Sequence, residues 1–370
     1  MRYHHVCLES LGYVLPPEIV TTEAIEHRLA PLYDRLRLPA GRLELMTGIR
    51  ERRFWPRRTL PSEVSQRSAE LALRAADFEP NQVGALIHGS VCRDHLEPAT
   101  ACRVHWLLGL PASCVVYDVS NACLGLLNGM LQVANMIELG QIEAGLVVGT
   151  EDARPLVEHT IDTLNSDRSL TRRSVKPAVA SLTIGSASCA VLLVHRRLSQ
   201  TGNRLIGAAV RAETDHHRLC CSLTDQAGHD MRPLMATDSE ELMRRGIATG
   251  KATFAQFLQE TEWNTSDLDT TVCHQVGGAH RQQMLQSLEL PVERDYATFS
   301  WLGNTGSAAL PITLAKAAES AFLRTGHRVG LLGIGSGINC VMIGVHWQRS
   351  QVLGQAWEED LVAAEPSPVA

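Results

Sequence analysis

The sequence repeats one pattern of apolar segments in its two halves, and this repeat constrains the fold more than any other feature. Strand-like runs at 83–91 (VGALIHGSV) and 268–276 (LDTTVCHQV) correspond to each other, as do those at 142–150 (IEAGLVVGT) and 327–335 (HRVGLLGIG). Members of both pairs lie about 185 residues apart. A fixed separation of this kind indicates an internal duplication of one βαβ arrangement.

The repeat also predicts how the layers pack. Between the paired runs, segments 115–139 and 299–323 each carry a sharp turn and a long apolar helix. Continuous apolar strands alternating with helices indicate sheets that are covered on both faces. The helix at 124–137 is so apolar that it should lie between two sheets. We therefore predict an α/β protein whose duplicated halves form a five-layered α-β-α-β-α sandwich, although an ordinary core helix is the simpler explanation of this composition.

This pattern divides the chain into three parts. We expect an N-terminal half at 1–198 with an inserted loop or cap region, a C-terminal half at 199–347, and a flexible acidic tail at 348–370. The irregular stretch at 154–180 belongs to the first half. Its basic run at 168–176 is typical of a solvated face, with contact to a nucleotide phosphate as the alternative.

Composition excludes several classes of function. The formal net charge of −6 gives no concentrated positive charge for a polyanion, so no nucleic-acid partner is expected. The ten cysteines form no C-x-x-C pair, which favours free thiols in a reducing compartment. The sequence has no signal-peptide core and no apolar run long enough to span a membrane. A cytoplasmic location is the expectation.

Cys123 is the first candidate for chemistry. In YDVSNACLGLLNGM it follows a strand at 115–119 and precedes the long helix. A helix start should lower the pKa of a thiol and make it a better nucleophile. A buried structural cysteine fits this pattern equally well.

Three further residues could complete a site around that thiol. His274 follows a predicted strand, and Asn304 occupies the turn before the second long helix, the position equivalent to Cys123. Pseudo-symmetry would bring the two helix starts face to face. In LLGIGSGINC, the Gly337 N–H could serve an oxyanion, although a tight turn explains the glycines as well. Dinucleotide and P-loop motifs are absent from the sequence.

A metal site has little support in the sequence. Five His and Cys residues lie between 216 and 229, but their spacing matches no usual zinc pattern. They are His216, His217, Cys220, Cys221 and His229. We expect no metal there and interpret the segment as an irregular cap.

Together, these motifs resemble the thiolase superfamily, which implies a thiolase-like fold. Within it the chain is similar to the ketoacyl synthase III branch, and its finer motifs resemble OleA-type enzymes, which join two fatty acyl-CoA molecules head to head. The resemblance extends from the N-terminus to about Trp347. It rests on RDHLEPATA at 93–101, DVSNACLGLLNGM at 118–130, HQV at 274–276, GNTGSAALP at 303–311 and LLGIGSGINCVM at 331–342.

The resemblance implies a role for each candidate. Cys123 would accept the first acyl group, and the Cys123 and Gly337 amides would hold its oxyanion. His274 and Asn304 would hydrogen-bond the carbonyl of the second thioester. Glu97, otherwise an ordinary loop carboxylate, would reach into the partner subunit of a homodimer and act as the base.

Other implications of the resemblance are less specific. Ser336 matches a serine near the active site. Acyl-CoA would be the substrate, no cofactor is expected, and downstream pathway enzymes are potential partners.

Two alternatives stay open at this point. Val276-Gly277 after the His-Gln pair, and the turn Thr305-Gly306-Ser307, depart from typical ketoacyl synthase III sequences. These departures favour non-decarboxylative Claisen condensation of two acyl-CoAs over decarboxylative condensation or acyl transfer with a malonyl carrier protein or malonyl-CoA. A non-catalytic acyl-binding subunit is the alternative of another class.

Overall fold

A computed structural model of the chain describes residues 1–222 and 235–357. The described strands are β1 (Val6–Leu15), β2 (Glu18–Thr21), β3 (Glu51–Phe54), β4 (Ala85–His88), β5 (Val115–Asp118), β6 (Ala144–Glu151), β7 (Ala187–His195), β8 (Arg204–Ala212), β9 (Cys220–Ser222), β10 (Met235–Thr237), β11 (Thr270–Cys273), β12 (Arg328–Gly335), β13 (Asn339–His346) and β14 (Val352–Ala356).

The described α-helices are α1 (Thr22–Arg28), α2 (Ala30–Leu36), α3 (Arg42–Thr47), α4 (Pro61–Ala76), α5 (Thr100–Leu107), α6 (Gly125–Glu138), α7 (Arg154–Ser166), α8 (Ser239–Thr261), α9 (Gly278–Ser287), α10 (Phe299–Leu302) and α11 (Ala309–Glu319). Two antiparallel two-stranded sheets, β2 with β3 and β9 with β10, lie outside the main sheet.

The main sheet contains the duplication that the sequence predicts. Its strand order is β11-β12-β13-β8-β1-β7-β6-β4-β5, with β14 beside β1. The sheet passes from one half to the other between β1 and β8, which pair at Cys7 and Arg204. The orders β1-β7-β6-β4 and β8-β13-β12-β11 match, and so do their directions, antiparallel twice and then parallel. An isolated parallel bridge between Thr271 and Asp295 takes the place of β5.

Side chains alternate between faces of these strands and so define five layers. On β7, Val191 and Leu193 join a central core with α6 and α11, whereas Leu192 and Val194 pack with α4 on the outside. The C-terminal strands repeat this pattern, with an outer core formed with α8 and α9. The predicted five-layered sandwich is confirmed, because α6 and α11 occupy a layer between the two sets of strands.

Two segments differ in detail from the sequence expectations, one in each half. The segment 154–180 was expected to be irregular, yet residues 154–166 form α7. Its buried Val157, Ile161 and Leu164 follow helical spacing and pack against α1 and α2. The polar residues between these three apolar ones obscure the helical pattern in the sequence. Segment 299–323 is two helices, α10 and α11, separated by the turn that carries Asn304.

The boundaries of the three predicted parts of the chain can be located in the structure. The boundary between 198 and 199 lies in the connection from β7 to β8. The expected tail at 348–370 contains β14, which pairs in parallel with β1 and so returns the chain to the N-terminal half. Residues 358–370 lie outside the described residues. Within the described part, none of the helices is long and apolar enough to span a membrane.

The start of α6 is fixed by direct backbone contact with the end of β4. A Cβ atom added to Gly89 would lie 2.6 Å from the carbonyl carbon of Gly125, and one added to Gly125 would lie 2.7 Å from that of Gly89. Neither position accepts a side chain without backbone movement. This contact sets the place of the residues just before α6.

We predict that Gly89→Ala lowers the free energy of unfolding by about 1–3 kcal/mol, because the new methyl group forces two backbones apart. Urea denaturation measures this change. Gly278→Ala is the matched control, since its added Cβ would meet nothing closer than 3.8 Å. Equal stability of the two variants would contradict the close contact.

Candidate active site

Cys123 lies in a tight turn between β5 and α6. Ala122, just before it, has a φ of 44° in the left-handed region, and the Leu124 N–H donates to the Asn121 carbonyl at 2.9 Å. Non-glycine residues in this region are uncommon and concentrate at functional sites. The Gly89–Gly125 contact holds the following helix in place. Cys123 is therefore presented on a fixed turn and is partly exposed.

The glycine-rich turn of the C-terminal half lies against the Cys123 turn. A Cβ atom added to Gly335 would be 3.6 Å from the Cys123 backbone nitrogen. Asn339 Nδ2 donates to Asn121 Oδ1 at 3.3 Å and to the Ser336 carbonyl at 3.1 Å. The turn that contains Ser336 and Gly337 is thus tied to the turn that contains Cys123.

His274 follows β11 directly and is 5% exposed. Its N–H donates to the Leu332 carbonyl at 3.1 Å, which continues the parallel pairing of β11 with β12. Burial, together with the neighbouring His280, lowers the pKa of His274 to about 3. The imidazole is therefore neutral near neutral pH and has one nitrogen to accept and one to donate.

Asn304 is 9% exposed and is anchored by its own backbone. Its N–H donates to the Thr183 carbonyl at 3.0 Å, and its carbonyl accepts from the Gly185 N–H at 2.9 Å. Its side-chain Oδ1 accepts from the Gly306 N–H at 3.1 Å. Because Oδ1 faces its own turn, the Nδ2 group is the end left to donate to a ligand oxygen.

Gln275, which the sequence analysis treated only as part of a motif, links His274 to the Asn304 segment. Its Nε2 donates to the Cys273 carbonyl at 2.6 Å, and its Oε1 accepts from the N–H groups of Thr298 at 2.8 Å and Phe299 at 3.1 Å. These donors stand at the start of α10. The His-Gln pair in the sequence was the available signal for this role.

Two other residues near the site had no clear sequence signal. His280, from the first turn of α9, lines one cavity together with His274. Cys220 accepts from the Ser336 hydroxyl at 3.4 Å and lies close enough to Cys123 to act on its pKa.

In the described residues, no group of three or more His, Cys, Asp or Glu side chains is arranged so that it could hold a metal ion. Of the five His and Cys residues between 216 and 229, His229 lies outside the described residues.

Comparison with known proteins places this architecture in a family. Residues 45–181 match the thiolase N-terminal domain, and residues 258–347 match the C-terminal domain of 3-oxoacyl-[acyl-carrier-protein] synthase III. An acyl-CoA:acyl-CoA alkyltransferase of Shewanella oneidensis is 42% identical, with 94% of this chain and 100% of that protein covered. One from Xanthomonas campestris is 34% identical over 94% of this chain and 100% of its own length.

Solved structures agree with the sequence comparison. A Xanthomonas campestris OleA variant with bound lauric acid and lauroyl-CoA superimposes with a TM-score of 0.87 at 33% identity, covering 93% of this chain and 100% of that one. The chain belongs to the OleA family of the thiolase superfamily. It is accordingly an enzyme of the acyltransferase class, and the resemblance stated from its sequence motifs is confirmed.

Glu97, the residue that the OleA resemblance implies as a base, stands apart from the elements described so far. It is exposed in the loop between β4 and α5. Exposure is what a residue needs if it is to enter the site of another subunit.

The pKa of Cys123 moves in the direction opposite to the sequence expectation. Burial raises it to about 12, and the nearby Glu151 carboxylate and Cys220 thiol add to the rise. The helix start does not compensate for this loss of solvation, since removal of a thiolate from water is costly. Near neutral pH the Cys123 side chain is therefore a neutral thiol, and His274 is a neutral imidazole.

We predict slow alkylation of Cys123 in the resting enzyme. At about pH 7, iodoacetamide should modify Cys123 at least about 10-fold more slowly than a small free thiol, because the thiolate is the reactive form. The rate should rise with pH up to strongly alkaline conditions. Peptide mass spectrometry over a pH series measures it, and fast labelling that levels off below about pH 7 would show a lowered pKa instead.

Proposed function

We propose that this protein condenses two fatty acyl-CoA molecules head to head by non-decarboxylative Claisen condensation, through an acyl group carried on Cys123. The observation that carries the proposal is the position of Cys123, on a fixed turn against the glycine-rich turn of the other half. The chain is similar along almost its whole length to acyl-CoA:acyl-CoA alkyltransferases. Acyl-CoA is thus the substrate class that we assign.

The first half-reaction transfers an acyl group. As the Cys123 sulfur attacks the thioester carbonyl, neutral His274 accepts the thiol proton and passes it to the departing CoA sulfur. The backbone N–H groups of Cys123 and Gly337 hold the carbonyl oxygen while it is negative. Moving the proton during the attack suits a thiol whose pKa is about 12.

The second half-reaction forms the carbon–carbon bond. The second thioester oxygen accepts hydrogen bonds from His274 and from Asn304 Nδ2, which stabilise an enolate. Glu97 from the partner subunit removes the α-proton, because no carboxyl group leaves to supply the electron pair. The α-carbon then attacks the acyl carbonyl, the Cys123 sulfur leaves, and a β-ketoacyl thioester results. Its hydrolysis yields the β-keto acid.

A homodimer is required for this use of Glu97, and the surface of the N-terminal half supports one. β5 lies at the end of the sheet, with Val115 43% exposed. Around it Val91, Leu96 and Trp106 are also exposed apolar side chains. An open edge strand with an apolar surround favours pairing with a second copy. Glu97 lies in this same region.

We predict that Cys123→Ser forms no acyl adduct and releases no CoA from a long-chain acyl-CoA, because the weaker hydroxyl nucleophile replaces the thiol. Intact-protein and peptide mass spectrometry detect the adduct. Cys220→Ser is the matched control and should still be acylated at Cys123. Normal turnover by Cys123→Ser would overturn the proposed covalent step.

We predict that Glu97→Ala retains acylation of Cys123 and loses condensation. Two differently tagged chains, Glu97→Ala and Cys123→Ser, should each be inactive as homodimers. Their mixed dimer should recover about half of the wild-type activity, since one of its two sites then has both groups. Product mass spectrometry measures the recovery. A mixed dimer as inactive as its parents would show that Glu97 does not act across subunits.

Decarboxylative condensation is the competing reaction. The C-terminal family match and a 27% identical β-ketoacyl-[acyl-carrier-protein] synthase III of Streptomyces coelicolor support considering it. The same product assay with and without malonyl-CoA decides between them. Product from acyl-CoA alone supports our proposal, whereas dependence on the malonyl donor supports the alternative.

A further inference from the structure

Glu151 is a buried carboxylate with an unusually complete set of donors. It is the last residue of β6 and is 4% exposed. Oε1 accepts from the Val91 N–H at 3.1 Å, the Ser307 N–H at 3.2 Å and the Ser307 hydroxyl at 2.6 Å, while Oε2 accepts from the Cys92 N–H at 3.3 Å. The desolvation cost of a buried carboxylate is offset only by donors of this kind.

These donors come from two segments that carry different parts of the chemistry. Val91 and Cys92 form the root of the loop that leads to Glu97, and Ser307 belongs to the turn that begins with Asn304. The carboxylate bridges the two segments directly. Its own backbone is fixed as well, because the Trp55 indole donates to the Glu151 carbonyl at 2.9 Å.

The turn after Asn304 is shaped to receive this carboxylate. Gly306 has a φ of 55°, and an added Cβ would stand 3.0 Å from Cγ, Cδ and Oε1 of Glu151. A side chain at 306 would thus push the carboxylate away, while the hydroxyl at 307 binds it. Gly306 and Ser307 both belong to the turn that follows Asn304. This turn and Glu151 form one structural unit.

Glu151 also acts electrostatically on Cys123. Its negative charge is, after burial, the next cause of the raised pKa of Cys123. The Glu151 carboxylate thus influences the Cys123 thiol and is hydrogen-bonded to both the Asn304 turn and the Glu97 loop.

We propose that Glu151 is a positioning residue of the active site, whose carboxylate fixes the Asn304 turn against the root of the Glu97 loop. This inference deepens the proposed function and rests on it for the roles of Asn304 and Glu97. Asn304 would serve the site of its own subunit, and Glu97 would serve the partner's. Glu151 therefore joins the enolate site of one subunit to the loop that supplies the base to the other.

Glu151→Gln tests this with little change in shape. An amide keeps one acceptor oxygen but its NH₂ group cannot accept from the backbone N–H groups. We expect a kcat for condensation about 10- to 100-fold lower, because small misplacements of reacting groups are that costly. The KM should change little. Because the charge is gone, the pH profile of Cys123 alkylation should also move to lower pH by about one unit.

Two further variants separate position from charge and from stability. Ser307→Ala removes one donor but keeps the charge, so condensation should fall while the alkylation profile stays. Glu9→Gln is the matched control, since Glu9 is 1% exposed and accepts from the Ser199 hydroxyl at 2.6 Å, the Gln200 N–H at 2.8 Å and the Thr201 hydroxyl at 3.0 Å. It lies on β1, away from the site, and should leave the profile unchanged even if it destabilises the protein.

Each outcome decides the inference. An unshifted alkylation profile in Glu151→Gln, or wild-type condensation by a folded Glu151→Gln, would overturn it. If Glu151→Gln does not fold, wild-type condensation by Ser307→Ala would do so instead. The alkylation experiment needs no acyl-CoA. Should the wild-type protein fail to condense acyl-CoAs, the proposed function fails, while the alkylation profile still reports whether Glu151 acts on the Cys123 site.

Discussion

The burial of α6 and α11 between two sets of strands is the constraint on which the rest of the structure depends. Leu126, Met130 and Val133 of α6 are almost fully buried, as are Ile312 and Leu314 of α11. Each such side chain contributes about 1.5–3 kcal/mol relative to an exposed one. Because this layer cannot shift without breaking the core, the turns that precede the two helices are held rigidly. Cys123 and Asn304 occupy those turns.

Burial also sets the protonation of the site. Loss of solvation acts in opposite directions on an acid and a base, raising the pKa of Cys123 to about 12 and lowering that of His274 to about 3. Both groups are neutral at rest as a consequence. A stable thiolate–imidazolium pair is thereby disfavoured, and in the proposed reaction the proton moves as the thioester is attacked. Such an arrangement also limits reaction of the thiol with other electrophiles.

Local pattern was sufficient to predict the duplication, the layers and the turns that carry Cys123 and Asn304, because these depend on strand and helix periodicity. The predicted direction of the Cys123 pKa shift was wrong, because burial in the folded chain raises this pKa and Glu151 and Cys220, which are distant in sequence, add to the rise. The pairing of β14 with β1 could not be predicted either, because the local sequence pattern does not show which distant strand a segment pairs with. Glu151 itself resembled an ordinary strand end. Its donors come from residues 91–92 and 307, and only folding brings them together.

The duplication explains why Glu151 and the glycine-rich turn are both near the site. Glu151 ends β6 and Gly335 ends β12, the equivalent strand of the other half. Gly335 contacts the Cys123 turn of the N-terminal half, and Glu151 contacts the Asn304 turn of the C-terminal half. Each half therefore supports the helix start of the other. The two contacts differ chemically, because the Leu124 side chain leaves little room for a side chain at 335, whereas at 151 the space left by Gly306 admits a carboxylate. At one of these equivalent positions a glycine therefore packs against the turn of Cys123, and at the other a carboxylate binds the turn that carries Asn304.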